Sequence, residues 1–425
     1  MIFGMHPSIL FGVAIVLFLA LHVAMKWSLP LSFIVVAVVI GVLGDFGLPF
    51  RHLMEGGFGF INLILALFAG AFFGHMMRQS GAAEAAAAGF VQAVNGNVFL
   101  VLTLIGIPIF VVGMFVGLSG VAVLSAGVFA VPAMRRIGFD DATTASFIAV
   151  IATAGMIAPP MNVPAMLLAD GVNMPWTNVT GALLSLALPM AISGLAWFTW
   201  YYGPSQPAQT SHGKVDMSKA IGGLMPFLLM VAIWLSVRLF PTVIADPASP
   251  LILVIGGLVA MPFVSRAKFR EAIVASFTGT PLILAAALVA IGIFVQIMTL
   301  TGVRGWLVIS TMSLGVPWIY PGLVIGMPII GGPLTSMVVA DVLGVPAAFS
   351  FIGQDMIINV AALSGISALA EFVPPTSIAA ALSCYVVGGG SIGQVFKRAW
   401  GPLLVLVIVA LLMLIFASKL TGIIT

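Results

Sequence analysis

Long apolar runs follow one another along the whole chain, and few polar positions interrupt them. A helix needs roughly 20 consecutive apolar residues to cross a bilayer, so each run of about that length predicts a membrane-spanning helix. The pattern predicts ten full spans, at residues 7–25, 29–46, 58–77, 141–169, 179–202, 220–240, 250–265, 280–300, 351–385 and 400–420. The predicted fold class is therefore an all-α, multi-pass membrane protein.

Two further apolar segments, at about 97–135 and 316–344, are broken near their middles by Gly, Ser, Pro and Thr. Irregular backbone at membrane depth is tolerated only where protein or a water-filled cavity surrounds it. We interpret both segments as re-entrant helical hairpins, which enter and leave the membrane on the same side. They are called the first and second hairpin below.

Two of the predicted spans are interrupted by adjacent prolines, Pro159-Pro160 in 141–169 and Pro374-Pro375 in 351–385. Proline removes a backbone donor and clashes with the carbonyl four residues earlier, so each span is predicted to be a broken helix. A break exposes half-helix ends at mid-membrane. Their N–H groups suit an anion, and their free carbonyls suit a hard cation such as Na⁺.

Composition excludes several classes of protein. The chain is 62% hydrophobic and only 6% charged, whereas a soluble domain is about 25% charged. The single cysteine, Cys384, excludes a disulfide framework and a CxxC site. A net charge of +3 is too small for a nucleic-acid surface, so no nucleic-acid partner is expected.

The distribution of basic residues predicts the orientation. If the N-terminus is outside, eleven basic residues fall inside and four outside, which is a positive-inside bias with both termini external. The inside set is Lys26, Arg78, Arg135, Arg136, Lys214, Lys219, Arg266, Lys268, Arg270, Lys397 and Arg398, and the outside set is Arg51, Arg238, Arg304 and Lys419.

The two halves of the chain resemble each other. GIPI at 106–109 matches GMPI at 326–329, and the two Pro-Pro pairs and Asp140 with Asp355 lie 215 positions apart. We predict a first repeat at 1–202, a polar cytoplasmic linker at 203–219 and a second repeat at 220–425. Five crossings per half would invert the second repeat, and inverted repeats with paired broken helices point to a secondary transporter.

A family resemblance lies in residues 116–167, which read VGLSGVAVLSAGVFAVPAMRRIGFDDATTASFIAVIATAGMIAPPMNVPAML. The Ser-Gly tip, the PAMRRIGFD run and the AGMIAPP break resemble the large membrane subunit of tripartite ATP-independent periplasmic (TRAP) transporters. GGPLTSMVVADVL and SGISALAEFVPPTSIAAAL continue the resemblance in the second half.

This resemblance implies an elevator-type importer of small organic acids, such as carboxylates, in the bacterial inner membrane, with periplasmic termini. It implies Na⁺ symport, with H⁺ as the alternative, and no other cofactor. The implied partners are a small membrane subunit, a periplasmic substrate-binding protein and the lipid bilayer. The alternative is a stand-alone anion:cation symporter of the same superfamily fold. The chain shows no HExxH, Walker A loop or paired catalytic carboxylates in its spans, so we do not expect an enzyme or a transition-metal site.

The candidate site residues lie at the hairpin tips and around the two breaks. Candidate substrate-binding residues are Ser119, Asn162, Thr335, Thr376 and Ser377. Candidate cation-binding residues are Ser119, Gly120, Thr153, Gly155, Gly332, Thr335, Ser364, Gly365 and Glu371. Each small or hydroxyl residue has an alternative role in close helix packing or in bonding backbone freed by proline.

Glu371 is the most informative single residue. An acidic group at mid-membrane costs roughly 2.5–3.5 kcal/mol on insertion scales, so it predicts function. The sequence leaves four roles open, namely binding a cation, carrying a proton, pairing with a substrate amine, or standing protonated in the core. Asp140, Asp141 and Asp355, by contrast, are expected to stabilise helix N-termini.

Overall fold

Helices make up the protein, and the part of the chain described by the structure contains no β-strand. The structure is a computed structural model that describes residues 4–204, 217–313 and 316–424. Within these ranges, seven helical stretches are long and apolar enough to cross a membrane: Pro7–Ala24, Phe50–Gln79, Val98–Val116, Thr180–Tyr202, Gly222–Leu239, Arg266–Leu300 and Ile392–Ile415. The prediction of an all-α protein with several membrane-spanning helices is thereby confirmed.

The helices of the first half occur in this order: α1 Pro7–Phe18, α2 Leu29–Leu43, α3 Phe50–Phe58, α4 Ile61–Gln79, α5 Ala82–Ala93, α6 Val98–Val116, α7 Ser119–Ser125, α8 Gly127–Arg136, α9 Asp141–Ile157, α10 Val163–Gly171 and α11 Thr180–Ala196. Two of them continue as π-helical turns, α1 through Leu19–Ala24 and α11 through Trp197–Tyr202.

The helices of the second half follow: α12 Met217–Leu239, α13 Ser249–Val259, α14 Arg266–Ser276, α15 Thr280–Leu300, α16 Val303–Met312, α17 Val316–Leu334, α18 Ser336–Val339, α19 Val345–Phe349, α20 Met356–Ala368, α21 Ile378–Val387, α22 Ile392–Ile415 and α23 Ala417–Leu420. Short 3₁₀ and π turns are Met261–Phe263, Ala340–Gly344 and Leu369–Phe372.

Each of the ten predicted spans coincides with one helix or a consecutive pair. The structure adds four helices in the connections between the predicted spans and hairpins, α3, α5, α14 and α16. Residues 205–216 of the predicted linker at 203–219 lie outside the described residues, and 217–219 form the start of α12.

An outer group of helices forms around α4 and α15. The helix α15 packs on α2 and α3, while α4 packs on α13 and α14. One crossing is made through glycine, since a Cβ on Gly292 would come within 2.3 Å of the Gly56 carbonyl oxygen. Small residues at such crossings let backbones approach closely.

An inner group contains both broken helices. The helix α9 packs on α6, α11, α21 and α22, and α20 packs on α10, α11 and α22. Asp140 and Asp355 are the N-cap residues of α9 and α20, with side chains that accept from the Thr143 and Ile358 N–H groups among others. The expected role of these two aspartates at helix N-termini is confirmed.

The first hairpin lies directly against α4. A Cβ on Gly74 would come within 2.0 Å of the Leu124 carbonyl oxygen, and one on Gly70 within 3.1 Å of the Val121 side chain. Gly70 and Gly74 lie one turn apart, so they form one face of α4 on which α7 rests. This contact brings the tip of the first hairpin to the boundary between the two groups of helices.

Candidate functional site

Three separate segments meet at the carboxylate of Glu371. The Ser119 Oγ donates a hydrogen bond to Oε2 at 2.5 Å, and the Ser336 Oγ donates to Oε1. The backbone N–H of Ala379 also donates to Oε2, at 3.1 Å. Glu371 is 2% exposed. A carboxylate buried this deeply needs such donors, because an unpaired charge in the interior is very costly.

The two serines occupy matching places in the two hairpins. Ser119 is the first residue of α7 and Ser336 is the first residue of α18, each directly after the turn that ends the first arm. Gly117 and Thr335 make these turns with positive φ angles of 70° and 79°. One carboxylate thus joins the tip of the first hairpin to the tip of the second.

The third donor comes from the start of a half-helix. Leu369–Phe372 forms a 3₁₀ turn at the end of α20, and residues 373–377 then lead to α21. Ser377 is the N-cap of α21, but its side chain makes no capping bond. The Glu371 carboxylate instead accepts from Ala379, the second residue of α21, and so stabilises one of the free N–H groups there.

A small cavity adjoins this cluster. Its volume is about 20 Å³, which is room for about one water-sized species. Glu371 and Met156, which are 215 positions apart, both line it. The other lining residues are Leu63, Leu67, Leu118, Ser119, Gly120, Val121, Leu288, Met337 and Ile378. The walls are therefore apolar apart from Ser119 and Glu371, and in this conformation they enclose too little space for an organic acid.

The first break is organised differently. Asn162 is the N-cap of α10, and its Oδ1 accepts from the Ala165 N–H at 2.9 Å. Its Nδ2 donates to the Ile157 carbonyl and to the Ser364 Oγ, both at 3.1 Å. Protein groups thus engage both polar atoms of this candidate substrate ligand, and the bond to Ser364 ties the first break to α20.

The candidates around the second break form another local contact. The Gly332 carbonyl accepts from the Thr376 N–H at 3.1 Å and also from the Thr376 hydroxyl. A corresponding backbone bond at the first break runs from the Met161 N–H to the Met114 carbonyl at 3.2 Å. Each hairpin is thereby bonded to the break next to it. Both Pro-Pro peptide bonds are cis.

Three predicted ligands have buried hydroxyls without a hydrogen-bond partner among the described residues. These are the Oγ1 atoms of Thr153 and Thr335 and the Oγ of Ser377. Their side chains are at most 2% exposed. Buried polar atoms are usually bonded, so an unpaired hydroxyl near the breaks is available to a ligand.

Close packing explains the positions of the predicted glycines. A Cβ on Gly155 would come within 2.4 Å of the Phe110 carbonyl oxygen, and one on Gly332 equally close to that of Pro374. On Gly120 it would meet Ile378 at 2.7 Å, and on Gly365 it would meet Leu186 at 3.2 Å. The structure does not bring Thr153, Gly155 or Gly365 into hydrogen-bond contact with Glu371 among the described residues.

Sequence reasoning missed three polar groups. Ser336 and the Ala379 N–H are two of the donors to Glu371. Asn359, fully buried in α20, has both side-chain polar atoms unpaired among the described residues. The sequence could have identified Asn359 as a candidate, because a lone amide in an apolar membrane helix is rare and costly.

Two arginines bond the C-terminal end of α21, the end farther from Glu371. Arg78 donates to the Val386 carbonyl, and Arg135 donates to the Val387 carbonyl at 2.8 Å and to Asp141 at 3.0 Å. Cations at a helix C-terminus complement its partial negative charge. The helix α21 is therefore held by the carboxyl group of Glu371 near its first turn and by two arginines at its last.

Comparison with known proteins does not add a family assignment. Protein-family models give no match to this chain, and a search of curated proteins finds no similar sequence.

Proposed function

We propose that the protein is the large membrane subunit of a secondary active transporter that imports small organic acids by cation symport. The observation that carries the proposal is the meeting of two hairpin tips and a helix break on one buried carboxylate. Interrupted helices that place half-helix ends beside a buried site are the arrangement by which secondary transporters bind ions and substrate.

Further support comes from the unpaired hydroxyls of Thr153, Thr335 and Ser377, which are oxygen ligands of the kind that Na⁺ prefers. Together with the resemblance to TRAP transporters, they favour Na⁺ as the coupling ion, with H⁺ as the alternative. The proposed location is the bacterial inner membrane with both termini periplasmic, and the proposed fold is a pair of inverted repeats working as an elevator. Substrate would arrive on a periplasmic binding protein.

The second candidate function is a stand-alone anion:cation symporter. Two observations would separate it from the tripartite transporter. Co-purification with a small membrane subunit, or a strict requirement for a binding protein, supports the tripartite form. Uptake by this chain alone supports the stand-alone form.

The decisive experiment is uptake of radiolabelled organic acids into proteoliposomes. The vesicles contain this chain alone, or this chain together with the small membrane subunit and the periplasmic binding protein. A panel of mono- and dicarboxylates is tested with a Na⁺ gradient, a pH gradient, both or neither. Uptake that accumulates only with an imposed cation gradient is expected. Uptake of every acid at the rate of empty liposomes would contradict the proposal.

A further inference from the structure

The donors around Glu371 form a surface built to bind a carboxylate. The Ser119 hydroxyl, the Ser336 hydroxyl and the Ala379 N–H all donate, and all three end on carboxylate oxygens. Among the described residues, no charged side chain joins them. We call these three groups the carboxylate receptor. An N–H group cannot ligate a metal ion, whereas three convergent donors suit the lone pairs of one anionic carboxylate.

We infer that the carboxylate receptor is a binding site for an exogenous carboxylate, and that Glu371 is its tethered occupant in the closed protein. As regards the substrate, the inference rests on the proposed function: the carboxylate of the organic acid would take the three donors when Glu371 leaves them. The side chain of Glu371 would then act as a built-in competitor.

Two features beside the receptor allow such an exchange. The small cavity reaches both Ser119 and Glu371, so it borders the atoms that would be exchanged. The unpaired hydroxyls of Thr335 and Ser377 directly precede Ser336 and Ile378 in sequence. They are the N-cap residues of α18 and α21, the two helices whose first turns supply the Ser336 and Ala379 donors.

The exchange also gives a reason for coupling. When Glu371 is ionised on the receptor, the cluster holds one negative charge. When a substrate carboxylate takes its place the cluster holds two, and an unpaired charge in the membrane interior is costly. A cation that enters with the substrate neutralises the displaced carboxylate. Substrate and cation would therefore each favour the binding of the other.

Chemical rescue tests the receptor without knowledge of the substrate. Glu371→Ala deletes a CH₂–COO⁻ group, whose free counterpart is acetate. Glu371→Gly deletes one carbon more, whose counterpart is propionate. The purified full-length variants are heated in detergent with increasing acetate or propionate, and the unfolding midpoint is recorded. A ligand that binds only the folded state raises the midpoint progressively with its concentration.

The expected result is that acetate stabilises Glu371→Ala and propionate stabilises Glu371→Gly, while equal concentrations of chloride, acetamide or propionamide do not. Wild type should not respond, because Glu371 occupies the receptor. Adding Ser119→Ala and Ser336→Ala to Glu371→Ala should abolish the response, whereas Ser125→Ala should not, since Ser125 bonds only within its own helix.

The inference is overturned if neither carboxylate stabilises its matching variant, or if the neutral amides stabilise them equally. It is also overturned if wild type responds as strongly as the variants. These measurements involve no transport. If the carboxylates stabilise the variants but the protein takes up no organic acid, the proposed function is rejected and the carboxylate receptor is retained. If the protein takes up organic acids but the carboxylates do not stabilise the variants, the receptor is rejected and the proposed function is retained.

Discussion

The backbone of Gly155 lies directly against the backbone of Gly113. A Cβ on Gly113 would come within 2.9 Å of the Gly155 Cα, which leaves no room for any side chain. This contact seats α6 on the part of α9 that precedes the first break. In the second half, Gly332 makes a comparable approach to the Pro374 carbonyl.

Gly155→Ala and Gly332→Ala are expected to destabilise the protein, because overpacking a tight contact costs about 1–3 kcal/mol. Thermal unfolding in detergent measures the effect. Gly326→Ala is the matched control, because a Cβ there meets nothing within 4 Å and alanine is the better helix former. Equal midpoints for the three variants would contradict the packing role.

Asn162 and Ser364 are expected to be energetically coupled. Asn162→Ala removes an N-cap, at a cost of about 0.5–2 kcal/mol, and also removes the bond to Ser364. The double variant Asn162→Ala/Ser364→Ala should therefore be more stable than the sum of the single effects predicts. Asn162→Ala with Ser383→Ala is the control pair, since Ser383 bonds only the Ala379 carbonyl of its own helix. Additive effects in the first pair would show that the bond carries no coupling.

Arg398 is expected to govern the acid stability contributed by Asp140. Burial acts to raise the pKa of Asp140, but hydrogen bonds from Arg398 at 2.5 Å and from Thr143 outweigh it, so the pKa lies below its ordinary value of 3.8. A lowered folded-state pKa contributes stability above the unfolded value, and this contribution is lost as the pH falls through the folded-state pKa.

Arg398→Gln should consequently unfold at a lower temperature than wild type at neutral pH, and the difference should shrink as the pH falls below 3.8. Lys397→Gln, at the exposed neighbouring position, should leave the pH profile unchanged. If the unfolding temperatures of wild type and Arg398→Gln differ by the same amount at neutral and at acid pH, Arg398 acts independently of Asp140.

Glu371→Gln is expected to alter the ion dependence of uptake. The amide keeps one acceptor oxygen but places an NH₂ donor where the second carboxylate oxygen accepts from a serine hydroxyl, and it carries no charge to be neutralised. Uptake is measured as a function of Na⁺ and of pH, with Ser125→Ala as the control. Wild-type dependence on both ions in Glu371→Gln would argue against a role in coupling.

Hydropathy predicted the long helices well because a membrane imposes one dominant requirement on each of them. It predicted no helix at α5 or α14. Both are short, and α14 carries Arg266, Lys268, Arg270 and Glu271 within eleven residues. A search for apolar runs of bilayer length cannot detect such helices, whose stability comes from packing on larger ones.

Glu371 stood out from the sequence because a lone acid at membrane depth is conspicuous, but its partners did not. The hairpins match at an offset of about 220 and the breaks at 215, so the alignment of the tips was uncertain by a few residues. The sequence marks Thr335 as the candidate ligand at the second tip, whereas the structure gives the place opposite Ser119 to the neighbouring Ser336. The Ala379 donor is a backbone N–H, and no side-chain pattern marks it.

The glycine face of α4 also limits how the first hairpin can move. At Gly70 the nearest partner atom is a γ-methyl group of Val121, and at Gly74 it is the Leu124 carbonyl oxygen. Separation of the first hairpin from α4 would forfeit these close dispersion contacts. An alanine at Gly74 would place its Cβ 2.0 Å from the Leu124 carbonyl oxygen, so it would push α7 away from α4 and shift the hairpin tip that carries Ser119.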